Sequence, residues 1–261
     1  MEPTVNIALR AARKAGDIIA RASDDISRLR VEAKGKADFV TEVDLAAEEE
    51  IISSLQKTYP DHAFLCEESG RTGPEDADYL WVIDPLDGTS NFMRGIPHYC
   101  VSIACVAKGK LEHAVILDPI RQEEFTASRG RGAQLNGRRM RVSNRSDLNE
   151  SLIGTGTPFL GHCDDRLDWY VKGLATIAGQ SMGIRRMGSA ALDLAYVAAG
   201  RIDGFWEAGL NAWDVAAGVL LVRESGGLVT DFKGSDAVLD GGDIMSANPK
   251  LLRQIAGAIR A

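Results

Sequence analysis

Two aspartates follow an apolar run in the stretch WVIDPLDGTSNF, which spans residues 81–92. Asp84 comes directly after the strand-like residues 81–83, and Asp87 follows three residues later. A carboxylate at the end of a buried strand costs free energy unless a partner satisfies it. Pro85 removes one backbone N–H that could have been that partner. Asp84 therefore favours a bound cation, whereas the Asp-Gly pair that follows is also typical of an ordinary turn.

Further acids lie where other predicted elements begin or end. Glu67 and Glu68 follow the predicted strand AFLC, Asp214 lies in the first turn of a predicted helix, and Asp44 lies at another helix start. Each has a plain structural interpretation. Asp44 completes a capping box with Thr41, Asp214 favours the helix dipole, and the two glutamates are solvated. None of these acids alone indicates a function.

As a group, the acids fit a single metal site. Carboxylates that repel one another are held together by a hard divalent cation. Mg²⁺ prefers oxygen ligands in octahedral geometry and usually meets a phosphate in the same site. Gly88 and Thr89 supply backbone N–H groups at a predicted helix start, where an anion can bind. This combination indicates phosphoryl transfer to water.

Composition narrows the class of protein. The chain has 261 residues, of which 45% are hydrophobic and 26% charged, as in soluble globular proteins. A formal net charge of -7 argues against broad electrostatic binding to nucleic acid or anionic membranes. The first helix does not resemble a signal peptide, and no apolar run approaches a membrane span. The four cysteines, at 66, 100, 105 and 163, have no zinc-ligand spacing and are interpreted as buried, reduced thiols of a cytoplasmic protein.

Hydrophobic periodicity predicts a mixture of helices and strands along the whole chain. Helices are predicted over NIALRAARKAGDIIARAS, LAAEEEIISSLQKTY, DRLDWYVKGLATIAG, SAALDLAYVAAG, WDVAAGVLLVRESGG and NPKLLRQIAGAIR. Strands are predicted over AFLC, YLWVID, VSIACVA, KLEHAVILD, EEFTASR, SLIGTG, RIDGFWEAG and LVTDF, with a turn at Asn136-Gly137. EAKGKADFVTEVD is predicted to be a loop. The pattern favours an α+β or layered α/β fold with two subdomains, and the lack of a G-x-G-x-x-G motif argues against a Rossmann fold.

The acid motifs resemble those of the inositol monophosphatase family. DPLDGTSNF resembles the family signature D-P-[IL]-D-G-T-x-N-F, WDVAAG resembles W-D-x-A-A-G, and EES resembles a third metal motif. DFVTEVD also matches the D-x-V-T-x-x-D segment, and SAALDLAYVAAGR and RGAQLNGRR are most similar to the bacterial SuhB-type branch. The resemblance implies a layered αβαβα sandwich, a single domain over residues 1–261 whose two subdomains meet near 145–150.

The resemblance also implies roles for individual residues. Two to three Mg²⁺ ions would be held by Glu67, Asp84, the backbone carbonyl of Leu86, Asp87 and Asp214. Thr89 and Asp44 match the pair that orients and deprotonates the attacking water, and Glu67 shares in catalysis. The implied substrate contacts are Asp87, Gly88, Thr89, Arg185, Ser189, Glu207 and Asp214. This sequence departs from the family pattern at three places. Ser90 replaces the more usual Thr, and Cys66 replaces a common Gly. Arg185 and Arg186 stand where other branches of the family have a smaller polar residue.

The activity implied by this resemblance is Mg²⁺-dependent hydrolysis of inositol-1-phosphate. Fructose-1,6-bisphosphatase, 3'-phosphoadenosine nucleotidase and histidinol phosphatase are alternatives, since the metal motifs are shared across the family. A homodimer and inhibition by lithium are expected. Direct binding to membranes is not expected. SuhB-type proteins are also associated with ribosomal RNA antitermination, so RNA polymerase and Nus factors are alternative partners.

Overall fold

The computed structural model describes residues 2–26, 31–35, 38–158 and 164–260. Cys66, Cys100 and Cys105 are buried free thiols, as predicted, and Cys163 lies outside the described residues. Within those ranges, no helix combines the length and the apolar character that a bilayer crossing requires.

Helices and strands follow one another along the whole chain. The described helices are α1 (Pro3–Ser23), α2 (Glu42–Gln56), α3 (Thr89–Met93), α4 (Leu167–Gln180), α5 (Ala190–Ala198), α6 (Ala212–Glu224), α7 (Val238–Gly241) and α8 (Pro249–Arg260). The strands are β1 (Val31–Gly35), β2 (Asp38–Thr41), β3 (Ala63–Cys66), β4 (Gly70–Thr72), β5 (Tyr79–Asp87), β6 (Cys100–Ala107), β7 (Lys110–Asp118), β8 (Glu123–Ser128), β9 (Gly132–Leu135), β10 (Arg138–Arg139), β11 (Leu152–Thr155), β12 (Gly183–Arg185), β13 (Gly204–Glu207), β14 (Leu228–Thr230) and β15 (Ile244–Ala247).

The first sheet has eight strands in the order β10-β9-β8-β7-β6-β5-β3-β4. Its pairs are antiparallel except for β3 and β5, which run parallel. Both faces are buried, and successive side chains point to opposite faces. In β6, Cys100 and Ala104 pack towards α5 and α6, whereas Val101, Ile103 and Cys105 pack towards α1 and α2. Burial on both faces explains why VSIACVA shows no polar alternation.

The second sheet has five strands in the order β12-β11-β13-β15-β14. Helices α5 and α6 lie between the two sheets, where Phe205 and Ile244 of the second sheet join their core. On the other face, Trp206 packs with α4 and α8 through Tyr170 and Ile255. The molecule is therefore a layered αβαβα sandwich, as the family resemblance predicted.

The loop predicted for EAKGKADFVTEVD is wrong. Residues Val31–Gly35 and Asp38–Thr41 pair as an antiparallel hairpin, and the register shifts between Ala33 and Gly35. Backbone pairing stabilises this hairpin, and its polar sequence carries no apolar alternation from which a strand could be recognised. Four short elements, β4, β12, α7 and β15, were also not predicted, because three or four residues are too few to show a period.

The predicted division near residues 145–150 stays a prediction. The last strand of the first sheet ends at Arg139 and the second sheet begins at Leu152. Helices α5 and α6 follow this point in the chain but pack against strands of the first sheet as well. The two parts of the chain therefore share one continuous core.

Helix α6 is fixed at its C-terminal end by a carboxylate. Both oxygens of Glu224 accept hydrogen bonds, from the backbone N–H groups of Gly130 and Gly132, at 2.8 Å each. Gly130 lies in the turn between β8 and β9, and Gly132 is the first residue of β9. The contact sets the position of a helix whose first turn carries Asp214.

Glu224→Ala should lower the free energy of unfolding by about 1–2 kcal/mol, because two backbone donors lose their acceptor. Denaturant unfolding with a constant m-value would measure the change. The matched control is Glu49→Ala, since Glu49 is an exposed residue of α2, and its effect should stay within about 0.5 kcal/mol. Equal stability of the two variants would contradict a structural role for the Glu224 contact.

Candidate functional site

Asp84 lies near the end of β5, on the face of the sheet that packs against α5 and α6. Val82, two residues earlier, points into the same core. The Asp84 side chain is 1% exposed, and its Oδ1 accepts a hydrogen bond from the Leu86 N–H at 2.9 Å. A backbone donor thus remains despite Pro85. Burial raises the pKa of Asp84 well above its ordinary value, and the charge of Glu67 raises it further.

Parallel pairing brings Glu67 to the same edge as Asp84. Cys66 of β3 is in register with Ile83 of β5, so the two strands end side by side. The Glu67 N–H donates to the Ile83 carbonyl at 3.1 Å. The turn that follows is held by Glu48, a residue that sequence analysis did not identify. Its carboxylate accepts from the N–H groups of residues 68 and 69 at 2.9 Å each.

Asp87 joins β5 to the start of α5. Its Oδ2 accepts from the Ser189 hydroxyl at 2.6 Å and from the Ala191 N–H at 2.8 Å. Ser189 is the N-cap of α5, so the Asp87 carboxylate lies at the positive end of that helix. Burial raises the pKa of Asp87 to about 6, and the two hydrogen bonds oppose this rise.

Ser189 was assigned to the substrate pocket by resemblance. Its side chain is 2% exposed, and its hydroxyl donates to Asp87. The structure therefore places Ser189 behind a predicted metal ligand, where it orients the carboxylate. A direct contact of Ser189 with substrate stays a prediction.

Asp214 caps a helix and also interacts electrostatically with the other acids. Its Oδ2 accepts from the Asn211 N–H at 2.7 Å and completes a capping box at the start of α6. Burial raises the pKa of Asp214 well above its ordinary value, and the negative charge of Asp87 raises it further. The hydrogen bond from Asn211 opposes this rise. The same side chain therefore caps a helix and belongs to a group of mutually repelling acids.

Asp44 and Thr89 lie within hydrogen-bonding distance of each other. Asp44 Oδ2 accepts from the Thr41 N–H at 2.9 Å and also from the Thr41 hydroxyl, in a capping box. Thr89 Oγ1 lies 3.1 Å from Asp44 Oδ1 and 3.0 Å from the Leu86 carbonyl oxygen. A hydroxyl has one proton, so it donates to one of these acceptors at a time. Burial raises the pKa of Asp44, and the bonds from both threonines oppose the rise.

Gly88 begins the short helix α3 in a left-handed conformation, with φ of 98°. A Cβ atom there would lie 3.0 Å from the His98 carbonyl oxygen and 3.3 Å from that of Gly188, so a side chain would crowd this turn. Asn91, another residue not identified from the sequence, fixes the turn through its amide. Its Nδ2 donates to the carbonyls of His98 and Met187 at 2.8 Å each.

Glu207 ends β13 and interacts electrostatically with the acid group. Its pKa is raised to about 8, mainly by loss of water and also by the charge of Asp87, whereas Arg186 lowers it. Arg185, the arginine assigned to the pocket by resemblance, is exposed, and its Nη1 donates to the neighbouring Ile184 carbonyl at 2.9 Å. Two adjacent arginines could not be distinguished from sequence alone. The pocket role of Arg185 stays a prediction.

The carboxylates at this edge of the first sheet are suitable ligands for a hard cation. Glu67, Asp84, Asp87 and Asp214 offer carboxylate oxygens, which are the ligands that Mg²⁺ prefers. Each of the three aspartates has its pKa raised by the charge of at least one other member of the set. Over the described ranges, no three His, Cys, Asp or Glu side chains already form a closed metal-binding group. Repelling carboxylates do not close on one point without a positive charge between them, which accounts for their separation.

Known proteins resemble this chain over its full length. The model of the "Inositol monophosphatase family" matches residues 1–261. The Nus factor SuhB of Pseudomonas aeruginosa is 57% identical and that of Escherichia coli K12 is 49% identical, each with 100% of this chain and 97% of that protein covered. A crystal structure of the SuhB protein of Bartonella henselae has a TM-score of 0.96 at 44% identity and covers 99% of both chains. The IMPase of Thermotoga maritima has a TM-score of 0.88 at 35% identity, with 98% and 96% covered.

Glu207→Gln should weaken the pH dependence of stability in the presence of EDTA. The pKa of Glu207 is raised from 4.5 to about 8 in the folded protein. A raised pKa adds stability that is fully present below the unfolded value and is lost as the pH rises through about 8. The melting temperature of the wild type should therefore fall more than that of the variant between about pH 6 and about pH 9, by about 2–4 °C.

The control for this measurement is Glu49→Gln, which replaces an exposed glutamate of α2. It should follow the wild type at every pH. If the melting temperatures of the wild type and Glu207→Gln changed equally with pH, Glu207 would have an ordinary pKa.

Proposed function

Because the chain belongs to the inositol monophosphatase family, we propose that it is a Mg²⁺-dependent phosphatase that hydrolyses inositol-1-phosphate to inositol and phosphate. The observation that carries the proposal is the group of four acids from two parallel strand ends and a helix start. Their charges act on one another. Buried like charges of this kind cost free energy unless a cation compensates them.

The residues that would hold two to three Mg²⁺ ions are Glu67, Asp84, Asp87, Asp214 and the carbonyl of Leu86. When bound, the ions supply Lewis-acid polarisation of the phosphoryl group and of the attacking water. Hydrogen bonds from Ser189 and Ala191 hold the Asp87 carboxylate in one orientation. The capping box does the same for Asp214.

The proton acceptor in this proposal is the pair of Asp44 and Thr89. When the Thr89 hydroxyl donates to Asp44 Oδ1, its oxygen lone pairs are free to accept a hydrogen bond from water. A water held in this way is oriented and loses its proton towards the threonine and aspartate. The first N–H groups of α3, at Gly88 and Thr89, have no acceptor within the helix and would bind the phosphate oxygens. Glu207 would accept hydrogen bonds from substrate hydroxyls.

A second candidate function comes from the names of the relatives. Two proteins that this chain matches over its full length at 57% and 49% identity are called Nus factors. We therefore also propose that the chain associates with RNA polymerase or Nus factors, in addition to its phosphatase activity. A cytoplasmic homodimer that is inhibited by lithium is likewise proposed from the family resemblance.

Asp84→Asn should reduce phosphate release from inositol-1-phosphate by about 100-fold or more, since it removes a charge from the proposed metal site. The new amide oxygen can still accept from the Leu86 N–H, so the fold should be retained. Assays of the same protein with fructose-1,6-bisphosphate, 3'-phosphoadenosine-5'-phosphate and histidinol phosphate, with and without Mg²⁺, would identify the substrate. Asp168→Asn, which changes an exposed residue of α4, is the control. Full activity of folded Asp84→Asn would rule out the assigned metal site.

The two functions can be separated with the same variant. If binding to the transcription machinery is independent of catalysis, Asp84→Asn should rescue a bacterium that lacks its own related gene as well as the wild type does. Growth at low temperature and ribosomal RNA transcription would be measured. Failure of a folded, inactive variant to rescue would indicate that the cellular role needs the phosphatase activity.

A further inference from the structure

Arg186 and Glu207 converge on two adjacent residues, Gly156 and Thr157. The Arg186 Nε donates to the Thr157 hydroxyl at 3.1 Å. A Cβ atom added at Gly156 would overlap the Glu207 carboxylate, so this side chain lies directly against the glycine backbone. The two side chains come from different elements, β13 and the segment after β12. The fold therefore places a guanidinium and a carboxyl group at neighbouring positions on one wall of the site.

Arg186 is held on its other side by a second glycine. A Cβ atom at Gly188 would lie 2.6 Å from the Arg186 Nη1, so the guanidinium packs where a side chain would otherwise stand. Gly188 is also within reach of the Asn91 amide, which fixes the turn at Gly88. The guanidinium itself is exposed, so its remaining N–H groups face solvent.

The charges around this pair are mostly negative. Asp193 is 1% exposed, and its Oδ1 has no hydrogen-bond partner among the described residues. The charges of Glu207 and Asp87 act on it, and so does the opposite charge of Arg186. An uncharged group with hydroxyls would meet one hydrogen-bond donor, the Arg186 guanidinium, and one acceptor, the Glu207 carboxyl group.

We propose that Arg186 is a specificity-determining residue that, beside Glu207, recognises two neighbouring hydroxyls on the uncharged polyol part of a phosphate monoester. One hydroxyl donates to Glu207, and the oxygen of the next accepts from the Arg186 guanidinium. The inference rests on the proposed phosphatase function and specifies its substrate class.

Kinetics on two esters test the proposal. Inositol-1-phosphate carries neighbouring hydroxyls, and p-nitrophenyl phosphate carries none. Arg186→Ala should raise the KM for inositol-1-phosphate by about tenfold, which corresponds to about one hydrogen bond to a charged group, and should leave kcat/KM for p-nitrophenyl phosphate unchanged. Arg138→Ala is the matched control, because it removes an exposed arginine of β10 that has no part in the proposed site, and it should leave the kinetics on both esters unchanged.

Equal losses on the two esters, or equal effects of Arg138→Ala and Arg186→Ala, would overturn the proposal. Lack of Mg²⁺-dependent turnover of both esters by the wild type would instead overturn the proposed phosphatase function. Binding gives a readout that does not need turnover. Calorimetric titration of inositol-1-phosphate into Asp44→Asn with Mg²⁺ should show about tenfold weaker binding when Arg186→Ala is added, and unchanged affinity would also overturn the proposal.

A second variant tests the same wall of the site while keeping the side chains of both Arg186 and Glu207. Gly156→Ala forces the Glu207 carboxylate to move, because the new methyl group occupies its place. It should raise the KM for inositol-1-phosphate and spare p-nitrophenyl phosphate. Gly179→Ala in α4 is the control, since a Cβ atom there meets no atom within 4 Å. Unaltered KM values in folded Gly156→Ala would contradict a role for this wall in substrate recognition.

Discussion

The repulsion among a few acids, one buried and the others half-buried, is the constraint on which the rest of the site depends. Asp84, Asp87 and Asp214 each have a raised pKa because burial and neighbouring negative charges disfavour the ionised form. The fold offsets part of this cost by placing carboxylates at positive ends of helices. Asp87 meets the start of α5, and Asp214 caps α6. The remaining imbalance of charge is the physical basis of the divalent-cation site proposed at this edge.

The layered architecture is what brings these acids together. Parallel pairing of β3 and β5 ends two strands side by side, and α5 and α6 fill the space between the sheets with their first turns at the same edge. Contacts at a distance from the acids hold this geometry. Glu48 fixes the turn after β3, Asn91 fixes the turn at Gly88, and Glu224 fixes the far end of α6. The geometry of the proposed catalytic site therefore depends on how helices and strands end.

Helix-capping and proposed catalytic roles coincide in the same side chains. Asp44 closes one capping box and accepts from Thr89, and Asp214 closes another within the acid group. A cap limits the rotation of its carboxylate through backbone hydrogen bonds, which is also what a metal ligand or proton acceptor needs. The structural and the functional interpretations of these acids are thus compatible.

The sequence by itself determined the helices, the long strands of the first sheet, and the acids, because period and spacing are local properties. Motif resemblance added the layer order and the family. Only the tertiary structure decided that Arg186, rather than Arg185, faces Glu207, since adjacent residues differ only in where the backbone directs them. Likewise, it showed Ser189 behind Asp87 and the hairpin β1–β2 in a polar stretch. These features depend on partners distant in sequence, which a local pattern does not contain.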